Sequence, residues 1–284
     1  MDLSCIIAAL LLFTGNLILI IFYGLEKNRD SFDYEQQISL DPTVIEEEWE
    51  WRMANKPKFL AAGILNGLGW LFFAFPMIQL AWILSKRGTT SLGLHIGIVL
   101  LVLIGSFTEW FSRFLYIGAT MATEMLASKF DLDNWGYDAS GLGWRTLEVT
   151  NIVTTGLITF IDAFEWIALF FIMTFVHVSV RKWRVTELDT FGMGWNVLGL
   201  FIAMLSLCDF AAEILRLTGN MVFVDIAFWY SSANRLVFLP LWLLMLGCTL
   251  PRAKEKSESV DTNRVVNDHM KNGLAHSQAQ NELL

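Results

Sequence analysis

Six apolar stretches constrain this chain more than any other feature. They run over 6–23, 59–84, 92–120, 150–180, 194–217 and 221–250. Each is near or above the ~20 residues that cross a bilayer core. A backbone surrounded by lipid must satisfy its own hydrogen bonds, so only helices and closed barrels can span it. The runs lack the period-two alternation of barrel strands. The expected fold is therefore all-α: a polytopic membrane helical bundle of about six transmembrane helices.

The organisation follows from what separates the runs. Residues 1–24 read as a first transmembrane helix or signal anchor. The start MDLSC has no basic residue, and the apolar stretch exceeds the ~7–15 residues of a signal-peptide core. Residues 25–57 read as an acidic non-cytoplasmic loop. Within it, Asp41 and Pro42 look like the start of a short interfacial helix, with Trp49 and Trp51 at the membrane surface. Residues 58–251 form the five-helix core. Residues 252–284 are polar and read as a disordered cytoplasmic tail.

Charge outside the runs sets orientation and excludes one class of partner. Glu46, Glu47, Glu48, Glu50, Asp131, Asp133 and Asp138 supply much of the formal net charge of −8. A nucleic-acid ligand needs a basic face, so it is not expected. With six crossings the termini share a side with Lys86, Arg87, Arg181, Lys182, Arg184, Arg252, Lys254 and Lys256. The positive-inside rule makes that side cytoplasmic, although Lys27, Arg29, Lys56 and Lys58 on the other side pull against it. Cys208 and Cys248 fall in apolar runs and Cys5 adjoins the first, where they cannot staple a loop.

A weak internal repeat suggests a duplicated helical hairpin. SFTEWFSRFLYIGATM begins at Ser106, and SLCDFAAEILRLTGNM begins one hundred positions later. Ser106, Glu109, Arg113, Tyr116 and Thr120 match Ser206, Asp209, Glu213, Arg216 and Asn220 in offset. The preceding runs also correspond, through Trp70 and Trp166 and through a basic pair at each end. Parallel repeats of this kind occur in transporters.

The same offsets step by three and four, so each set lies on one helix stripe. Thr155, Thr159, Asp162 and Glu165 share a face in the fourth run, as do Asp225, Ser232 and Arg235 in the sixth. An ionisable group at the bilayer centre costs about 2.5–3.5 kcal/mol even on a lenient insertion scale. Four stripes facing lipid would multiply that cost, so the stripes should converge. Five acids, Glu109, Asp162, Glu165, Asp209 and Glu213, then meet three bases, Arg113, Arg216 and Arg235. The excess requires a bound cation or carboxyls that keep a proton.

Two functions fit that excess. One is proton- or cation-linked transport of an ion or small solute. The five acids would be the proton, cation or substrate site, and the three arginines its counter-charges. The other is a non-catalytic membrane scaffold or accessory subunit whose ion pairs only fix helix packing. The expected partners are the lipid bilayer and, for a transporter, its proton, cation or solute. No enzyme activity, cofactor or metal is expected. His95 and His177 are too few for a metal hydrolase site, and no phosphate loop or nucleophile elbow is present. The stretch from Asp131 to Gly136 echoes a calcium loop, but its twelfth position is Leu142 rather than an acid.

Overall fold

The computed structural model describes residues 1–21, 53–86, 92–130, 142–184, 190–215 and 221–258. Those residues are 96% helical, with no strand among them. Among the described residues, six helices are long and apolar enough to cross a membrane. We number them α1 (Leu3–Ile20), α2 (Lys56–Ser85), α3 (Leu92–Phe130), α4 (Leu142–Arg184) and α5 (Met193–Leu215). The sixth, α6, begins as Met221–Ala233, widens into a π-helical turn at Asn234–Phe238 and continues over 239–258. Residues 252–258, expected to begin a disordered tail, instead continue α6 as helix, with Ala253 and Ser257 buried; the expected short helix near Asp41, the acidic turn 131–141 and the rest of the tail lie outside the described residues.

Local signals explain the helix ends that the described residues include. Asp2 precedes α1, and its Oδ1 accepts from the backbone N–H of Ser4 at 3.0 Å and of Cys5 at 3.4 Å. Those N–H groups have no partner within the helix, so the carboxylate satisfies them. Pro57 stands at the start of α2, where a missing N–H costs nothing.

Successive helices pack antiparallel, and the ring closes between α6 and α1. Gly69 faces Leu12 and Gly15 faces Asn66 across α1 and α2. Gly63 faces Ile117, and Gly67 faces Trp110 and Arg113, across α2 and α3. Gly97 meets Phe175 and Gly105 meets Ala168 across α3 and α4. Gly199 meets Trp242 across α5 and α6. At the closure the Asp2 N–H donates to the Gly247 carbonyl at 2.8 Å. An even number of crossings requires this meeting of the start of α1 with the far part of α6.

The closest approach is between α1 and α2. A Cβ at Gly15 would stand 2.9 Å from the Asn66 backbone nitrogen. Beside this seam Asn16 and Asn66 exchange reciprocal hydrogen bonds of 2.9 and 3.2 Å, and both are buried. Small residues that let backbones approach, with polar side chains bonded across, are the usual adhesive of membrane helices.

The interior divides into two halves. Toward the Asp2 end lies a continuous apolar core, including Leu12, Met77, Leu84, Ile98, Met173, Val180, Phe191, Ile202 and Leu246. Trp195 stacks on Trp242 at 4.7 Å and donates its indole N–H to the Trp242 carbonyl at 3.2 Å. Toward the opposite end lie the charges. The outer surface shows large apolar side chains, among them Leu103, Phe107, Phe111, Val197 and Phe201. Such a surface suits lipid rather than water.

Candidate functional site

Four of the six helices bring charge to one half of the bundle. Glu109 and Arg113 come from α3, one turn apart. Both the Nε and an Nη of Arg113 reach the same Glu109 oxygen, Oε1, at 2.6 Å. α4 contributes Asp162 and Glu165, also one turn apart. Arg113 stands 3.9 Å from an Asp162 oxygen. α6 supplies Arg235 from the first residues of its π turn. Its Nη2 donates to Glu165 Oε2 at 2.7 Å, and its guanidinium lies 4.6 Å from the Trp166 ring centroid. α5 supplies Asp209 and Glu213, both buried.

The carboxyls of Glu109, Asp162 and Glu165 form the centre. One oxygen from each lies within 4.8 Å of one from each of the others. Glu109 is 0% and Glu165 1% exposed. Each glutamate gives one oxygen to an arginine. Glu109 Oε2 and Glu165 Oε1 remain buried without a hydrogen bond. Ionised carboxylates have only lone pairs to offer one another, so this packing places like charges together.

A second polar group lies on the α5 side of Arg235. The Asn234 amide donates to Ser206 Oγ at 3.0 Å, and Ser206 in turn donates to the Ile202 carbonyl at 2.8 Å. Asp209 is 0% exposed, with neither oxygen in a hydrogen bond of good geometry. Asn234 and Arg235 are the favourable electrostatic neighbours of its carboxyl, and Glu213 the unfavourable one.

Sequence spacing puts Asp162, Glu165 and Arg235 near the middle of their runs, and the fold joins all three to one cluster. Sequence spacing also leaves Asp162 and Glu165 without an arginine of their own. In the fold, Arg113 of α3 and Arg235 of α6 come to them. Arg216 and Asn220 lie outside the described residues, as do the side chains of Tyr116, Thr120, Thr155, Thr159 and Asp225. Sequence reasoning missed Asn234, although an amide inside an apolar run is itself a costly and informative choice.

The repeat offsets share burial but not role. Ser106 and Ser206 are both buried, as are Glu109 and Asp209. Arg113 pairs with Glu109, whereas the matching position on α5 is the acid Glu213.

The six apolar helices of spanning length among the described residues are those of a multi-pass membrane protein of all-α architecture. No protein-family model, curated protein or solved structure matches the chain.

Proposed function

We propose that this protein carries an ion or small solute across its membrane in a proton- or cation-linked cycle. The observation that carries this reading is the imbalance at the centre. Three carboxyls within 4.8 Å of one another face two guanidiniums. A buried core that only fixes packing has no need of the extra acid, and burying an uncompensated charge is expensive. Glu109, Asp162 and Glu165 would hold the coupling ion. Asp209 and Glu213 would extend the site, and Arg113 and Arg235 would balance it or hold an anionic group. The mainly apolar packing of the other half, among the described residues, favours a carrier over an open pore, although His95, Ser179 and Asn196 are buried there. A carrier must expose the charged half to each side in turn.

The rival is a scaffold or accessory subunit. It is favoured by the direct pairing of Glu109 with Arg113 and of Glu165 with Arg235, which leaves few charges to move. Proteoliposomes separate the two. A carrier should show pH- or cation-dependent flux that Asp162→Asn and Glu165→Gln abolish while the protein stays folded and inserted. A scaffold should show no flux in either form and should tolerate both substitutions.

A further inference from the structure

We infer that the coupling ion is a proton rather than a metal cation, and that Glu109 and Glu165 hold it between them. Its coupling role rests on the transport reading, whereas its presence rests on geometry alone.

Each glutamate is used on one side only. Glu109 commits Oε1 to Arg113, and Glu165 commits Oε2 to Arg235. The remaining Glu109 Oε2 and Glu165 Oε1 are buried with no hydrogen bond. One oxygen of each carboxyl lies within 4.8 Å of one of the other. If both are ionised, two lone-pair acceptors oppose each other inside the protein. One proton converts that contact into a charge-assisted O–H···O⁻ bond, the strong kind. The proton enters from water, and no other bond forms or breaks.

Among the described residues of α3, α4 and α6, the charges agree in number. α3 brings Glu109 and Arg113, α4 brings Asp162 and Glu165, and α6 brings Arg235. These leave a single negative charge, which one proton neutralises. α5 adds Asp209 and Glu213 beyond Arg235, further raising the negative potential. α2 faces Arg113 with Gly67. Its Lys56 and Lys58 lie more than two helical turns away along the chain, and Lys56 pairs with Glu124. α1 brings Asn16 but no ionisable group to this end. A metal ion fits less well. Hard cations take about six to eight oxygen ligands, whereas the arginines already occupy one oxygen of each glutamate. Two guanidiniums would also repel the ion.

Infrared spectroscopy of the protein labelled with carbon-13 glutamate tests this without any substitution. At neutral pH a protonated-carboxyl band should move on labelling, which separates it from any contribution of Asp209. Glu109→Gln and Glu165→Gln should each remove intensity from it, since the glutamate left behind retains its arginine. Sodium and calcium should leave it unchanged. The inference is overturned if the wild-type protein shows no glutamate band at neutral pH. It is equally overturned if the band survives in both folded variants, or if a cation displaces it. Should a variant fail to fold, the labelled wild-type band and its response to cations still decide. A glutamate band with no flux would sink the transport reading and leave the shared proton. Flux with no such band would do the reverse.

Discussion

Arg235 is the residue on which the charged half depends most directly. It donates to Glu165 and lies over the Trp166 ring, and it bears electrostatically on Glu109 and Asp209. Removing one partner of a buried ion pair leaves the other charge uncompensated, at a cost of about 3–5 kcal/mol. Arg235→Leu should therefore lower stability by that order in denaturant unfolding. The double variant Arg235→Leu with Glu165→Gln should recover part of the loss, because the exposed penalty is that of the orphaned carboxylate. Losses that simply add would show that the two residues do not interact. Arg235→Lys should not fully substitute, since an ammonium lacks the planar fork that reaches Glu165 while lying over an indole.

At the scale of elements, the α1–α2 seam makes the sharpest claim. Asn16 and Asn66 bond each other, and Asn16 also donates to the Leu12 carbonyl at 2.7 Å, so Asn16→Leu strands the Asn66 amide whereas Asn66→Leu leaves Asn16 one bond. Interhelical hydrogen bonds in membranes average about 0.6 kcal/mol, and model peptides give about 1–2 kcal/mol. Asn16→Leu or Asn66→Leu should cost on that order, and the double variant should cost less than the sum. Gly15→Val should cost more than either, because its side chain would meet the Asn66 backbone rather than a movable side chain. Thermal unfolding of the four variants in one detergent would rank them. The π turn of α6 is the other distinctive element. Such turns occur frequently at functional sites, and this one carries both Asn234 and Arg235 into the interior.

For the molecule as a whole, the closure between α1 and α6 is open to a direct test. A Cβ at Gly247 would lie 3.0 Å from the Cys5 Cβ, slightly inside the ~3.5–4.5 Å typical of a disulfide. Gly247→Cys should therefore cross-link to Cys5 under oxidation after a small shift, seen as the loss of two titratable thiols after denaturation. If transport requires this apolar end to open, cross-linking should abolish flux and reduction should restore it. Undiminished flux in the cross-linked protein would show that the α1–α6 seam stays shut during the cycle. Orientation is tested separately. With Cys5, Cys208 and Cys248 replaced by Ala, an impermeant thiol reagent on intact cells should label a cysteine at position 128 but not one at Lys254. The opposite pattern would invert the positive-inside assignment.

Sequence alone determined the architecture. Six apolar runs of spanning length leave a lipid-embedded backbone no alternative to six helices, and the four-residue spacing of Glu109 with Arg113 and of Asp209 with Glu213 assigns each pair to one helix stripe. Helical periodicity is a local property, and it is written in neighbouring residues. Which stripe meets which is decided across helices. Glu165 and Arg235 are seventy positions apart, and no spacing rule links them. α4 and α6 are not neighbours in the ring, so this pair is made across the interior, where the π turn places Arg235. No spacing rule links Asn16 with Asn66 either, or divides the interior into an apolar half and a charged half. The cost of burying a charge says only that partners must exist, and tertiary packing decides which side chains those partners are.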